Sequence, residues 1–119
     1  MMTCDYGLSA EQFFTPERST GTLRAYYRHK QNNELLARAG EQDLTAQVNF
    51  TEISAAGESL GLKTETWTSQ GRFLTRVLEK MVAKKNPLEK WTPAKTRQFQ
   101  TLTHPEHLGR SFQVLVQSR

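Results

Sequence analysis

The first seven residues, MMTCDYG, constrain the fold of this chain more than any other stretch. A short apolar run ends there in an acid, an aromatic residue and a glycine, a pattern typical of a buried strand that leads into a functional loop. Strands of this kind belong to parallel sheets, which place their ligand-binding loops at the carboxyl ends of the strands. Because natural domains seldom begin in the middle of such a strand, we interpret the start as a cut within a longer fold.

Length and charge leave several classes of function open. A chain of 119 residues is long enough to bury the core of one domain. Sixteen lysines and arginines against twelve acidic residues give a formal net charge of +4, which is too mild to require a phosphate-bearing partner. Positive and negative charges are also mixed along the chain, so nucleic-acid binding is not favoured.

Cysteine and hydropathy patterns narrow the classes further. Cys4 is the only cysteine, so no internal disulfide can form, and no Cys/His spacing suits zinc. We therefore predict no metal site. No charged segment is followed by an apolar run of the signal-peptide type, and no apolar stretch is long enough to span a bilayer. The sequence thus indicates a cytoplasmic protein without a membrane partner.

The middle of the chain predicts a helix followed by a strand. Asn49 and Glu52 have the spacing of a capping box in front of apolar positions at helical spacing, and Gly61 is the expected stop. Gly57 inside this helix costs about 1 kcal/mol relative to alanine, so we expect packing to stabilise the helix. Residues 62–68 alternate and are rich in β-branched side chains, which predicts a strand with one buried face.

The last third predicts two helices and a closing strand. A stripe of apolar residues over 73–81 predicts a helix whose stripe is core, ending at Asn86 and Pro87. Thr92 and Pro93 start a helix over 92–102, residues 104–109 form a turn, and residues 111–117 alternate as a strand. The segment 32–43 is expected to hold one or two helical turns before Gly40. The strands at 2–6 and 62–68 are joined through a helix and should be parallel, with the last strand running the other way.

Five segments in this order carry a resemblance to a known family. They are Asp-Tyr-Gly at 5–7, an arginine ahead of GTLRAYYRH at 21–29, DLTAQVNF at 43–50, the stretch from Gly61 to TSQGRFL at 68–74, and LGRSFQVLVQ at 108–117. Together they resemble the C-terminal part of the MidA-like class I S-adenosylmethionine-dependent methyltransferases. That family includes the mitochondrial complex I assembly methyltransferase, which modifies an arginine of a protein subunit.

The resemblance implies an α/β fold, namely the C-terminal portion of a Rossmann-like class I methyltransferase sheet. Residues 2–6 would be strand five and 49–60 the helix after it. Residues 62–68 would be strand six and 111–117 strand seven, antiparallel between the other two. The chain contains no Gly-x-Gly, and the family's glycine-rich loop, ribose-binding acid and fourth strand belong upstream. Residues 1–119 are thus expected to be a single partial domain that lacks the cofactor-binding N-terminal half.

The function implied by the resemblance is that of the substrate-side half of a methyltransferase acting on a protein arginine. The full-length family uses S-adenosylmethionine, but this chain alone is expected to be inactive and to bind the donor with a Kd above about 1 mM. The implied partners are the missing half of the fold and a protein substrate. The open first strand should also promote homodimers or aggregation. The alternative is a small basic binding module, without catalysis, for nucleic acid or an acidic protein.

Asp5, Tyr6 and Gly7 are the residues for which the resemblance implies contact with the methyl donor. A carboxylate and a phenol at the end of a parallel strand would line the pocket near the donor. The alternative interpretation is that Asp5 caps a turn and that Gly7 supplies a positive φ.

The segment GTLRAYYRHK is interpreted as a wall of the active site. Tyr26 or Tyr27 would stack on the substrate, while Arg24 and Arg28 would hold a carboxylate or phosphate. In the alternative, an extended segment turns its aromatic residues inward and its cations outward.

Asp43 and Thr45 are candidates to orient the substrate, with Asp43 pairing a guanidinium, although local hydrogen bonding ahead of the helix would also explain them. Gln47 and Asn49 stand where family members often carry histidine and aspartate. The candidate residues of the active-site face are Asp5, Tyr6, Arg24, Tyr26, Tyr27, Arg28, His29, Asp43 and Thr45.

Overall fold

The computed structural model describes residues 1–84 and 91–119, so the predicted helix end at Asn86 and Pro87 lies outside the described residues. Within these ranges the chain forms seven strands and five helices. The strands are β1 (Met2–Leu8), β2 (Arg24–Tyr27), β3 (Lys30–Asn32), β4 (Asp43–Thr45), β5 (Val48–Asn49), β6 (Lys63–Ser69) and β7 (Phe112–Ser118). The helices are α1 (Ala10–Phe13), α2 (Phe50–Ser59), α3 (Gln70–Ala83), α4 (Pro93–Thr103) and α5 (Leu108–Ser111).

The larger of two sheets has the strand order β5-β1-β7-β6. Strand β7 runs antiparallel to both of its long neighbours, with Val114 opposite Cys4 on one side and Thr68 on the other. Strands β1 and β6 therefore run in the same direction without touching each other. The predicted parallel orientation of these two strands, with the closing strand antiparallel between them, is confirmed.

Strand β1 is longer than predicted. The two-residue strand β5 pairs in parallel with Gly7 and Leu8 and extends β1 beyond Tyr6. The Asp-Tyr-Gly segment consequently lies inside the strand and not in the loop after it, which corrects the sequence interpretation. The loop begins at Ser9, whose side chain accepts a hydrogen bond from the Gln12 N–H in a capping box that starts α1.

Helix α2 covers one face of the sheet and begins where predicted. The Asn49 side chain accepts hydrogen bonds from the backbone N–H groups of Thr51 and Glu52, at 3.2 and 3.4 Å. Gly61, with φ +82°, follows the helix as the expected stop. Gly57 faces β7, where an added Cβ would lie 2.3 Å from the side-chain oxygen of Gln117. This close approach explains the glycine that helix propensity disfavours.

Helix α3 begins at Gln70, three residues before the predicted start, and only Gln70 and Gly71 of this helix are buried. An added Cβ on Gly71 would lie 2.6 Å from the Thr103 carbonyl oxygen, so α3 meets the end of α4 at its first turn. The predicted core stripe over 73–81 is wrong, because its members are only partly covered, and Val77 is 38% exposed.

The smaller sheet has the order β3-β2-β4, with both pairs antiparallel. Arg28 and His29 form the two-residue turn between β2 and β3 and have φ values of 48° and 63°, as a type I′ turn requires at both positions. The helical turns expected over 32–43 do not form. The Gln42 side-chain amide instead donates to the carbonyls of Glu34 and Leu35, at 2.9 and 3.2 Å.

Only a small part of the described chain is fully buried. The buried apolar residues are Ala25, Phe50, Val114 and Leu115. The radius of gyration is 17.5 Å, whereas a compact domain of this length would have about 13 to 14 Å. The molecule is therefore open in shape, and the fully buried residues lie around β7, α2 and β2.

Candidate functional site

Three adjoining clefts run along one edge of the larger sheet, where β1 and β6 end and β7 begins. The cleft between the larger and the smaller sheet, here called the central cavity, has a volume of about 650 Å³. Arg18, Gln47 and Ser111 line both this cavity and the cleft beside it, and Arg110 and Gln113 connect that second cleft to the third. Since ligands of open α/β sheets bind outside the carboxyl ends of their parallel strands, this edge is the candidate site.

One face of the smaller sheet forms a wall of the central cavity. Arg24 and Tyr26 are two residues apart on β2 and share this face. The residues opposite them on the neighbouring strands are Thr45 and Gln31, both of which line the cavity. The Tyr26 hydroxyl donates to the Gln31 side-chain oxygen at 3.3 Å. The two sheets therefore face each other across a cavity with polar walls.

Four of the nine candidate residues of the active-site face line the central cavity. These are Tyr6, Arg24, Tyr26 and Thr45. Asp43 lies opposite Tyr26 in the strand register, on the same face of the small sheet, but does not line the cavity.

The remaining residues of the GTLRAYYRHK segment point elsewhere. Tyr27 occupies the opposite face of β2, where the Arg38 guanidinium carbon lies 4.5 Å from its ring centroid. Arg28 and His29 form the hairpin turn and are exposed. The structure therefore does not bring Arg28 beside Arg24. The alternative interpretation, an extended segment with its aromatic residues inward and its cations outward, is also wrong, because the rings of Tyr26 and Tyr27 lie on opposite faces of β2.

The Asp-Tyr-Gly segment divides its side chains between the two faces of β1. The Tyr6 ring is 40% exposed and lies 4.0 Å from the Phe112 ring, centroid to centroid, at the edge of the cavity. Asp5 points to the other face and accepts the Tyr6 backbone N–H at 2.7 Å. Gly7 is buried, and an added Cβ would lie 2.2 Å from the Phe50 ring. Gly7 lacks a positive φ, so close packing accounts for this glycine.

The sequence analysis assigned no ligand-facing role to six residues of the cavity lining, namely Arg18, Thr22, Gln31, Ala46, Gln47 and Ser111. Arg18 is the arginine that precedes the GTLRAYYRH segment, but no ligand-facing role was assigned to it. The structure places it at the end of a short 3-10 turn, Pro16–Arg18, with its side chain toward the cavity. Gln47 is held by its backbone N–H, which donates to the Thr22 hydroxyl at 3.1 Å.

Backbone oxygens hold both arginines of the cavity. Arg18 donates through Nη1 to the Gln12 carbonyl at 2.7 Å and to the Thr15 hydroxyl at 3.2 Å. Arg24 donates through Nη1 to the carbonyls of Leu23 and Gly21, at 2.7 and 3.3 Å. Among the described residues the one ion pair is Lys63–Glu65, so neither cavity guanidinium is in direct contact with a described carboxylate.

The Cys4 thiol is not a nucleophile poised for reaction. It donates to the Gln70 side-chain oxygen at 3.4 Å. Partial burial, followed by the charge of Asp5, raises the pKa of the Cys4 thiol, and the thiol is the less reactive form.

Within the described ranges, no group of three or more potential ligand side chains could hold a metal ion, and no helix has the length and hydropathy to cross a membrane.

Fold and site together define an α/β protein whose candidate site lies at the carboxyl edge of a mixed sheet. Residues 1–68 match the model of a family described as "Putative S-adenosyl-L-methionine-dependent methyltransferase". The chain belongs to this family of S-adenosyl-L-methionine-dependent methyltransferases.

Two solved structures from Burkholderia thailandensis are similar to the whole chain. One is an uncharacterized protein with 30% identity and a TM-score of 0.83, and the match covers 99% of this chain and 32% of that protein. The other is described as a "likely methyl transferase" bound to S-adenosyl-homocysteine, with 30% identity, a TM-score of 0.78 and coverage of 99% and 31%. The chain thus spans about a third of the length of these structures. No curated protein matches its sequence.

The comparisons confirm the resemblance at the level of S-adenosylmethionine-dependent methyltransferases. The matched segment contains both arginines of the central cavity and the tyrosines of β1 and β2. Of the residues that line the cavity, Ser111 alone lies beyond it.

Proposed function

We propose that this chain forms the acceptor side of an S-adenosylmethionine-dependent methyltransferase and that the central cavity receives the methyl acceptor. The observation that carries the proposal is that Tyr6, near the carboxyl end of β1, and Arg24 and Tyr26, on the smaller sheet, line the same cavity. In a family of methyltransferases, a polar cavity at this edge of the sheet is suited to align an acceptor.

The chain's own residues would position the acceptor. Methyl transfer asks mainly for alignment of donor and nucleophile and for removal of one proton from the acceptor. The Tyr6 and Tyr26 rings offer flat apolar surfaces that would fix an acceptor side chain, and the Gln31 and Gln47 amides offer hydrogen bonds that would set its orientation. Alignment is thus the contribution that these residues would make.

The described residues do not form a donor site by themselves. Of the three candidate donor contacts only Tyr6 lines the cavity, since Gly7 packs under Phe50 and Asp5 faces the other side of β1. We therefore propose that this chain alone binds S-adenosylmethionine with a Kd above about 1 mM, or roughly −4 kcal/mol. Calorimetry on the purified chain tests this value, and micromolar binding would contradict it.

The finer part of the proposal is that the acceptor is an arginine side chain of a protein in the MidA-like manner. It rests on the family resemblance and on one position in the structure. Asp43 is exposed and lies opposite Tyr26 on the cavity-facing side of the small sheet. A guanidinium stacked on Tyr26 would find this carboxylate on the adjacent strand, where a bidentate pair would fix its plane.

Two peptides that differ in one atom of one side chain test the arginine acceptor. Capped Gly-Arg-Gly and Gly-citrulline-Gly have side chains of the same shape, but only the first is charged. In amide NMR titrations of the chain, we expect the arginine peptide to bind at least about 10-fold more tightly, because a charge-assisted pair is worth about 1.5 to 3 kcal/mol. Asp43→Asn should remove the preference, while Asp5→Asn should keep it. Equal binding of the two peptides would refute the arginine acceptor.

The reading frame upstream of Met1 separates the enzyme from the alternative of a binding module. An in-frame strand followed by a glycine-rich loop would supply the donor-binding elements that the described residues lack, and would support the methyltransferase. A stop codon and a ribosome-binding site directly upstream would favour the module.

A further inference from the structure

Arginines accumulate at the carboxyl edge of the larger sheet. Among the described residues, the charged ones that line the three clefts are the arginines at positions 18, 24, 72, 76 and 110 and the glutamates at positions 11 and 79. This excess of three positive charges is close to the formal net charge of +4 of the whole chain. The mild basicity of the sequence is thus concentrated at the candidate site.

Of the three clefts, the central cavity has the most uniformly positive lining. It contains two guanidinium groups, from Arg18 and Arg24, and no carboxylate among the described residues that line it. The rest of its polar lining consists of amides, hydroxyls and phenols, all of which can donate hydrogen bonds. A cavity with these groups favours a negatively charged ligand.

The two arginines are also held in advance of any ligand. Each uses Nη1 to donate to oxygens of its own loop, at 2.7 Å in the shorter bond of each pair. A guanidinium has five N–H donors, and in both arginines the donors on Nη2 and Nε have no acceptor among the described residues. These donors are available to a ligand. Fixing the side chain before binding reduces the entropy lost on association. Arg18 and Arg24 are both partly buried, which strengthens an ionic contact relative to an exposed one.

We infer that the central cavity binds an oxyanion, a carboxylate or phosphate group carried by the methyl acceptor, through Arg18 and Arg24. The inference deepens the proposed function and rests on it, since it assigns to the acceptor protein an acidic or phosphorylated residue near the modified side chain. Asp43, outside the cavity, would serve the acceptor's cationic group while the two arginines bind the anionic one.

Small-ion titrations of the isotopically labelled chain test the oxyanion site without any peptide. Inorganic phosphate, acetate and guanidinium chloride are added separately at constant ionic strength. The N–H resonances of the Arg18 and Arg24 side chains and the backbone amides of Thr22 and Gln47 are followed. We expect saturable shifts at these groups with phosphate or acetate, with a Kd on the order of 10 mM, as a few charge-assisted hydrogen bonds provide after the cost of association. The tighter of the two anions identifies the source as phosphate or carboxylate.

Gln31→Glu is the decisive variant, because it adds a carboxylate to the cavity lining without touching the loops that hold the arginines. It should weaken anion binding at least about 10-fold through charge repulsion at short range. Gln98→Glu makes the same change on exposed α4, away from the three clefts, and should change the Kd by less than twofold. Arg24→Gln should weaken binding as Gln31→Glu does, with Arg97→Gln as its exposed control.

Three results would overturn the inference. The first is a saturable shift of the Arg18 and Arg24 side-chain resonances that occurs with guanidinium at lower concentration than with either anion. The second is a shift of the Arg97 side chain equal to that of Arg24, which would indicate a general ionic effect. The third is competition between S-adenosylhomocysteine and phosphate, which would assign the subsite to the donor's carboxylate. None of these results depends on the preference for arginine over citrulline, so the inference and the proposed acceptor can fail separately.

Discussion

The region around β7 and α2 and the layer formed by α3 and α4 contain similar apolar residues but bury them to different degrees. Leu115 in β7 is 1% exposed and Phe50 in α2 is fully buried, whereas Val77 in α3 and Leu102 in α4 are 38% and 39% exposed. In the sequence, the helices of both regions have apolar residues at helical spacing. The difference shows that an apolar stripe identifies a helix without establishing what covers it.

Close contacts, not apolar content, distinguish the two regions. In the first region, the Phe50 ring packs directly against Gly7 and the Gln117 side chain packs directly against Gly57, where any larger residue would clash. In the second, contacts of this kind are confined to one junction, where Gly71 and Gly109 meet the Thr103 carbonyl. Beyond this junction the stripe of α3 stays partly exposed.

Two leucine truncations give the largest expected difference between the regions. Leu115→Ala should lower the free energy of unfolding by about 3 to 4 kcal/mol, because it leaves a cavity in fully packed surroundings. Leu102→Ala removes the same atoms from a side chain that is 39% exposed and should cost about 1 kcal/mol. Urea denaturation of both variants measures the two values. Equal losses would mean that the α3–α4 layer is as well covered as the β7–α2 region, and the comparison would fail.

Gly57→Ala tests a single contact of the β7–α2 region. We expect it to lower the free energy of unfolding by about 2 kcal/mol. Alanine gains about 1 kcal/mol of helix propensity, but its Cβ would lie 2.3 Å from the Gln117 side chain. That side chain is 1% exposed and donates to the Ser54 carbonyl at 3.0 Å and to the Thr64 hydroxyl at 3.2 Å. Overpacking and disturbed buried hydrogen bonds together outweigh the gain in propensity.

The effect of Gly57→Ala on the free energy of unfolding should change sign when the Gln117 side chain is shortened. In a Gln117→Ala background the clash is absent, so Gly57→Ala should stabilise the chain by up to about 1 kcal/mol. A full double-mutant cycle, followed by thermal and urea unfolding, measures this coupling. Additive effects of the two changes would show that Gln117 is not the reason for the glycine.

Local signals in the sequence predicted much of the fold. The cap at Asn49, the stop at Gly61 and the start at Thr92 depend on residues within one helical turn, and all three are confirmed. The capping box of Ser9 and Gln12 had an equally local signal and was overlooked. The alternation over 62–68 and 111–117 was also visible in the sequence, and the two segments form β6 and β7.

Contacts between distant segments explain what the sequence could not predict. Strand β5 has two residues and exists because β1 lies beside it, and the hairpin turn at Arg28 and His29 contains no glycine to mark it. At the candidate site, Tyr26 and Arg24 were recognised from their residue types. The cavity role of Arg18 was not, because it depends on a loop that brings position 18 next to the edge of β1.

The smallest predicted effect concerns the free edge of β1. Met1 and Gln117 exchange two backbone hydrogen bonds, at 2.7 and 3.0 Å. In an antiparallel ladder such pairs alternate, so the Thr3 N–H points to β7 and the Cys4 N–H points to the opposite edge. At that edge β5 covers only Gly7 and Leu8. After correction for intrinsic rates, the Thr3 amide should exchange at least about 10-fold more slowly than the Cys4 amide in dilute solution.

An uncovered strand edge is also a template for a second chain, so we expect protection of the Cys4 amide to rise with protein concentration as two copies pair there. Met2→Lys places a charge at this edge and should abolish the concentration dependence. Val82→Lys is the matched control, because the two side chains are 62% and 61% exposed and Val82 lies on α3, away from the edge. A Cys4 amide as protected as that of Thr3 at the lowest concentration would mean that the edge is already covered in the monomer. In that case the contrast between covered and uncovered regions would not extend to β1.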